Sequence, residues 1–160
     1  MRIEPATSDD VATIAQLNVA IHDLHCQLAP DYFRAASPPA AAAELKELLA
    51  DMDSRALIAW EEDVPVGYCV LKIVQREPNA WSAGFRRILV DALSVEPQWR
   101  RRGVGTRLME AAFAFAREQG IRELMLEYWS NNAPAREFYK SMGFAPLTEK
   151  VLLTLPEEGQ

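Results

Sequence analysis

The sequence predicts a mixed α/β fold, and three observations predict it. Two apolar runs, at residues 56–60 and 66–74, flank Glu61-Glu62-Asp63-Val64-Pro65 in the manner of an antiparallel hairpin. From Gly103 the spacing becomes helical, with Val104, Leu108, Ala111, Ala112, Phe115 and Ala116 on one face. Strand-like and helical segments then alternate to the end of the sequence. A chain of 160 residues lies within the usual size of one domain and can bury one hydrophobic core, so residues 1–160 are expected to form a single domain.

Taken in order, residues 3–5 read as a short strand. Thr7-Ser8-Asp9-Asp10 has the spacing of a capping box, in which hydroxyl and carboxylate satisfy backbone amides at a helix start. Val11, Ile14, Leu17, Ile21 and Leu24 then recur at helical spacing up to the break at Pro30. Ser37-Pro38 reads as the start of a second helix, because proline suits the first helical position; it runs to about Asp51 with Leu45, Leu48 and Leu49 inward. After the hairpin, residues 85–95 form a third long strand. Gly120 ends the helix that follows, residues 124–128 read as a strand, and 133–142 as a helix stopped by Gly143. Val151-Leu152-Leu153-Thr154-Leu155 is expected to be a closing strand.

Composition narrows the class of function. An apolar fraction of 49% and a charged fraction of 25% are those of ordinary soluble globular proteins. No run approaches the roughly 18 apolar residues of a membrane span, and Met1-Arg2-Ile3-Glu4-Pro5 lacks the apolar core of a secretory signal. A cytoplasmic protein without a membrane partner is expected. Cys26 and Cys69 are too few for a disulfide framework and lack the paired spacing of a zinc site, so reduced thiols and no metal are expected. Seventeen basic against 23 acidic residues give a net charge of −6, which disfavours nucleic acid. The local exception is Arg100, Arg101, Arg102 and Arg107, where a small anion could bind.

That stretch carries the chemistry. Ile88-Leu89-Val90-Asp91-Ala92-Leu93-Ser94-Val95 leads through Glu96-Pro97-Gln98-Trp99 into Arg100-Arg101-Arg102-Gly103-Val104-Gly105-Thr106 and a helix. The first turn of a helix leaves its amides unpaired at the positive end of the dipole, so it accepts a phosphate readily. Side chains at Gly103 or Gly105 would hold a pyrophosphate away from those amides, whereas the arginines add charge-assisted hydrogen bonds. The competing interpretation is a helix end with a solvated basic face. Other phosphate motifs fit less well: no Gly-Lys-Ser/Thr is present, and Leu108 occupies the third glycine of a dinucleotide fingerprint.

Arg100-Arg101-Arg102-Gly103-Val104-Gly105 resembles the signature of the GNAT superfamily of acetyltransferases, Gln/Arg-x-x-Gly-x-Gly/Ala opening a helix after a strand. A second block, Asn132-Ala133-Pro134-Ala135-Arg136-Glu137-Phe138-Tyr139-Lys140-Ser141-Met142-Gly143-Phe144, resembles that family's Asn-x-x-Ala-x-x-x-Tyr-x-x-x-Gly-Phe. The resemblance covers roughly Ile58 to the C-terminus. It implies a GNAT-like α+β fold, with a mostly antiparallel central sheet flanked by about four helices, and acetyl-CoA as co-substrate. Pantetheine would pair with the strand near Leu93, Ser94 and Val95. Arg100, Arg101, Arg102, Gly103, Val104, Gly105 and Thr106 would take the pyrophosphate, Asn132 would contact the cofactor arm, and Tyr139 would face the thioester sulfur.

A phenol with a reference pKa near 10 can donate to a departing thiolate, although Tyr139 could equally serve only to pack its helix with Phe138 and Phe144. Asn132 could cap the helix beginning at Ala133-Pro134, a role compatible with cofactor contact. An amine acceptor is protonated at neutral pH, so a base must remove a proton before attack. Asp91 is the first candidate and Glu127, in the neighbouring strand, the second. His22, His25 and Cys26 share one helical stretch, but no second ligand cluster or orienting partner accompanies them. The resemblance makes His22, His25, Asp31, Tyr32 and Phe33 candidates to line the acceptor site.

The function implied is N-acetylation of a primary amine by direct attack in a ternary complex, and the acidic balance favours a small cationic acceptor. The resemblance also admits a homodimer through the C-terminal segment. Two rivals stand beside it: a non-catalytic acyl-CoA-binding sensor of the same fold, and an enzyme for a larger acyl group.

Overall fold

The computed structural model describes residues 1–34 and 38–155. Ser37, expected at a helix start, lies outside them. Five strands form one sheet in sequence order: β1 (Arg2–Pro5), β2 (Ser54–Glu61), β3 (Val64–Arg76), β4 (Phe85–Val95) and β5 (Leu124–Leu126). The first three junctions are antiparallel, and β4 and β5 run parallel. Among the described residues four α-helices accompany the sheet: α1 (Val11–Leu28), α2 (Pro38–Ala50), α3 (Val104–Glu118) and α4 (Ala133–Ser141). The mostly antiparallel sheet with four helices is the predicted architecture.

Each face of the sheet buries its own cluster. α3 packs Val104, Leu108, Met109, Ala112, Phe115 and Ala116 against Leu57, Cys69, Leu71, Ile88 and Val90. α1 and α2 cover the opposite face, where Ile14, Leu17, Leu45, Leu48 and Leu49 meet Ala56, Ile58, Tyr68 and Val70. Residues 66–71 are covered on both faces, which is why that strand reads as a continuous apolar run. Before α1, the Thr7 amide donates to Asp10 Oδ2 (2.8 Å) and the Asp9 amide to Thr7 Oγ1 (3.3 Å), the reciprocal bonding the sequence suggested. Gly120 (φ +66°) and Gly143 (φ +91°) end α3 and α4 in the left-handed conformation. In each case the amide after the glycine returns to the last turn: Ile121 to the Ala116 carbonyl (2.8 Å) and Phe144 to that of Tyr139 (3.0 Å).

Two expectations are corrected. Residues 151–155 form no strand: they make no ladder with β5, and Val151, Leu152, Leu153 and Leu155 stay exposed. Alternating apolar residues signal a surface to be covered, but not which surface covers it. β5 spans three residues rather than the five expected, because only Leu124, Met125 and Leu126 pair with β4.

Gly67 marks a close approach between β3 and β4. A Cβ there would stand 2.7 Å from the Ser94 carbonyl oxygen and 3.3 Å from a methyl of Val104. Because backbone cannot swing aside, Gly67→Ala is expected to cost about 2 kcal/mol and to lower the Tm by roughly 4–8 °C in a thermal melt.

Candidate active site

The site grows from a defect in β4. Val70 pairs with Ala92 and Leu71 with Val90, so Asp91 has no partner and forms a bulge. The extra residue reverses the side-chain alternation. Ile88 and Val90 point to the α3 side, as do Leu93 and Val95 beyond the bulge, while Ala92 packs on the α1–α2 side. Ser94 also faces α1, buried with its Oγ donating weakly to the Leu17 carbonyl (3.4 Å). β5 pairs with β4 only over Ile88, Leu89 and Val90. From Asp91 to Val95 the outer edge of β4 therefore has no neighbouring strand, although Arg100 Nε takes the Val95 carbonyl.

The turn of residues 100–106 follows this edge. Arg101 (φ +60°) and Gly103 (φ +81°) both take the left-handed conformation, which strains Arg101 and requires glycine at 103. The first intrahelical bond of α3 runs from the Arg107 amide to the Gly103 carbonyl (3.0 Å), and no side chain caps the helix. The amides of Val104, Gly105 and Thr106 are thus left without helical acceptors, in the concave arrangement that binds anions. A Cβ at Gly103 would meet nothing within 4 Å, so the mouth of the turn is open there. Gly105 has a different reason from the one expected. Its Cβ would point inward, 3.3 Å from the Phe138 ring and 3.8 Å from Val95, so this glycine lets α3 pack closely on α4 and β4.

The arginines are likewise differentiated. Arg100 Nε donates to the Val95 carbonyl (3.1 Å) and braces the last residue of β4. Arg102 lies over the Trp99 ring at 5.1 Å, a cation–π contact. Arg101 and Arg107 are exposed.

α4 packs beside this turn at Gly105. Asn132 caps it, its Oδ1 accepting from the Ala135 amide (3.2 Å). Phe138 and Tyr139 then face the α3-side core. Tyr139 is held among aromatic rings, stacked on Tyr128 at 6.0 Å, with Phe138 at 5.2 Å and Phe144 at 5.8 Å. Burial, and secondarily the neighbouring Cys69, push its phenol well above the ordinary value of 10.0. It therefore stays a proton-bearing donor throughout the physiological range. Cys69 itself is sealed in the core, where burial raises its thiol to about 12 and leaves it inert.

The two candidate bases differ in setting. Asp91 is half-exposed, bonded to Lys72 Nζ (2.8 Å), and lines a cavity of about 430 Å³ between the sheet, α1 and α2. Glu44, Glu47 and Asp51 line the same cavity, which makes it predominantly acidic. Glu127 is exposed and lies 3.8 Å from Lys150.

His22, His25, Tyr32 and Phe33 gather where the end of α1 meets the segment after β5. Phe33 contacts His25 (5.0 Å) and His22 (6.2 Å), and both Phe33 and Tyr32 pack on Trp129 (5.7 and 5.2 Å). Asp31, the fifth candidate, is exposed in the same turn. His22 Nε2 lies 2.7 Å from the Arg34 carbonyl and 3.6 Å from Cys26 Sγ. Burial, with a smaller contribution from His22, lowers the pKa of His25 and favours its neutral form. Two residues that sequence reasoning missed complete this wall: Trp129, and Asn131, whose Nδ2 donates to the Leu28 carbonyl (3.0 Å). The aromatic pair Tyr128-Trp129 directly after an apolar strand was the available signal.

A free strand edge beyond Val90, a helix end with open amides and Tyr139 on the neighbouring α4 are features that suit an extended anionic ligand. The sequence profile of the Acetyltransferase (GNAT) family matches residues 21–144 of the chain. The chain belongs to the GNAT acetyltransferase family. It is an enzyme of the acyltransferase class. This GNAT protein is 32% identical, over 90% of its length and 89% of the relative's, to the uncharacterized N-acetyltransferase YhfO of Bacillus subtilis. It is 29% identical, over 98% and 94%, to the aminoglycoside N(6')-acetyltransferase type 1 of Stenotrophomonas maltophilia. The streptothricin acetyltransferase of Streptomyces lavendulae is 36% identical over 59% of the chain, a match that spans only about half (47%) of that relative. Among solved structures, a tetramutant of the BH1408 protein of Bacillus halodurans superposes with a TM-score of 0.92 at 23% identity, covering 97% of this chain and all of that one. The aminoglycoside N-acetyltransferase AAC(6')-Iy in complex with CoA gives 0.75 at 21% identity, covering 97% and 93%. Both likenesses bear on the fold. Among the described residues, no helix is long and apolar enough to cross a membrane.

Proposed function

We propose that this single-domain protein, residues 1–160, is a cytoplasmic, homodimeric enzyme that transfers an acetyl group from acetyl-CoA to a primary amine of a small cationic molecule. The observation that carries this reading is the turn at Gly103, whose open amides follow the free edge of β4, with Tyr139 on the helix whose Phe138 packs at Gly105. The pyrophosphate binds the amides of Val104, Gly105 and Thr106 with Arg101 and Arg107 adding charge, while Arg100, Arg102 and Gly103 hold the shape of the turn. Pantetheine runs along Leu93, Ser94 and Val95 by strand-like pairing, and Asn132 fixes the start of the opposing helix at the cofactor arm. The amine attacks the thioester carbonyl, a C–N bond forms, and the C–S bond breaks. Tyr139 gives its proton to the departing thiolate, and the second proton that the nitrogen releases as the amide forms restores the phenol.

An ammonium must lose a proton before it can attack. Asp91, on the bulge where β4 leaves β5, is the residue we assign to receive it. Asp91→Asn is expected to lower kcat by about 100-fold without altering acetyl-CoA affinity. An unchanged kcat would exclude Asp91 as the base. The acidic lining around Asp91 favours a cationic acceptor. Relatives named as aminoglycoside and streptothricin acetyltransferases support a small-molecule amine.

The experiment is thiol release from acetyl-CoA against a panel of mono- and polyamines, with products identified by mass spectrometry. Turnover with cationic amines is expected. Tight acetyl-CoA binding with no acceptor turned over would replace the enzyme by a sensor.

A further inference from the structure

The cavity beside Asp91 holds a cation of its own. Its lining carries the carboxylates of Glu44, Glu47, Asp51 and Asp91 and, among the described residues, a single cationic side chain, Lys72. Lys72 stands between two of the carboxylates. Toward β4, its Nζ lies 2.8 Å from Asp91 Oδ2. Toward β2, Lys72 pairs across the ladder with Ser54, whose hydroxyl donates to Asp51 Oδ2 (2.8 Å). Cross-strand partners project to the same face of a sheet, so Asp51 is the next carboxylate on that side. It is already organised to hold a cation. The Asp53 amide donates to its Oδ1 (3.0 Å), and this bond and that of Ser54, with a smaller contribution from the charge of Lys72, hold its carboxyl below the usual carboxylate range.

The pair between Lys72 and Asp91 is not locked. Both side chains are more than one-third exposed (37% and 38%), and ion pairs open to water are weakly held. An ammonium arriving at Asp91 nevertheless meets a carboxylate that already carries one. We infer that Lys72 is a positioning residue for Asp91: it occupies the carboxylate until the ammonium of the acceptor displaces it, and then passes to Asp51. No charge is stranded by the exchange, since Asp91 ends with the acceptor and Asp51 with Lys72. Leu45 and Leu48, in the same lining, offer apolar surface to the alkyl stem of an amine. Neutral nucleophiles cannot displace a cation from a carboxylate, so the device selects for cationic acceptors.

This inference rests on the proposed role of Asp91 as the group that receives the acceptor's proton, but the exchange of ions can be read without turnover. With the amine of highest kcat/KM in the panel, Lys72→Met is expected to lower the KM of the amine by about fivefold and to leave that of acetyl-CoA unmoved. Lys72→Arg keeps the charge but grips a carboxylate through two parallel bonds, so it is expected to raise the KM of the amine. An unchanged KM in Lys72→Met, or a Lys72→Arg enzyme indistinguishable from the wild type, would overturn the exchange and leave Lys72 as background charge. The second measurement is nuclear magnetic resonance of the unreacted protein. The chain has only four lysines, so ¹³C-lysine labelling, with Lys72→Arg for assignment, isolates the Lys72 side-chain signal. Butylamine hydrochloride is expected to shift that signal saturably in the wild type, whereas sodium chloride of equal ionic strength is not. A wild-type signal that ignores butylamine, or a response that survives in Asp91→Asn, would refute the proposal. A signal that moves in a protein that acetylates no amine would uphold the exchange and remove the transferase reading instead.

Discussion

Tyr139→Phe is expected to lower kcat for acetyl transfer by about 100-fold while leaving the fold and acetyl-CoA affinity nearly unchanged. The ring accounts for the packing: it stacks on Tyr128 and touches Phe138 and Phe144, and phenylalanine keeps all three contacts. The hydroxyl is a different case from that of Tyr68, which donates to Asn18 Oδ1 (2.5 Å) and so serves the core. Among the described residues no acceptor holds the Tyr139 hydroxyl, and it is not sealed from solvent. Its removal should therefore show in chemistry rather than in the Tm. The pH dependence has a definite sign. In the proposed mechanism the protonated phenol is the active form, and burial raises its pKa, so no alkaline loss of activity below pH 10.0 is expected from Tyr139. Steady-state kinetics across pH, with a thermal melt of the variant, check both parts. A variant with full kcat would reduce Tyr139 to a packing residue.

Gly103→Val should produce the second large effect, a rise of at least about tenfold in the KM for acetyl-CoA. At φ +81° a β-branched residue is strained by about 1–3 kcal/mol, and the turn relieves that strain by rotating its amides away from a common focus. Gly120 provides the control. Its φ of +66° is equally unfavourable and its Cβ position equally open, but it closes the other end of α3. Gly120→Val should lower the Tm comparably and leave the KM alone. Similar shifts in KM from both variants would mean that strain, not the turn, governs binding.

The elements whose evidence is local were legible in the sequence. α3 and α4 announced themselves by helical spacing and by glycines at their ends, and Thr7 and Asp10 by capping chemistry. The two motif blocks fixed the turn at Gly103 and the position of Tyr139. What escaped depends on partners distant in the chain. The bulge at Asp91 is a count of residues against β3, invisible within β4 itself, yet it sends Leu93 and Val95 to one face and Ala92 to the other. Gly105 looked like a second phosphate glycine, whereas its hydrogen faces Phe138, some thirty positions away. Trp129 and Asn131 join the wall only because the loop after α1 comes to meet them. Residues 151–155 have the composition of a strand without a strand to pair with in the chain described.

Calorimetric titration of the purified protein with acetyl-CoA tests the central claim most directly. Saturable heat is predicted, with one site per chain, a Kd of about 1–100 μM and at least tenfold weaker binding by Gly103→Val. Absence of heat from the wild type at millimolar acetyl-CoA, or equal affinity in the variant, would contradict the account.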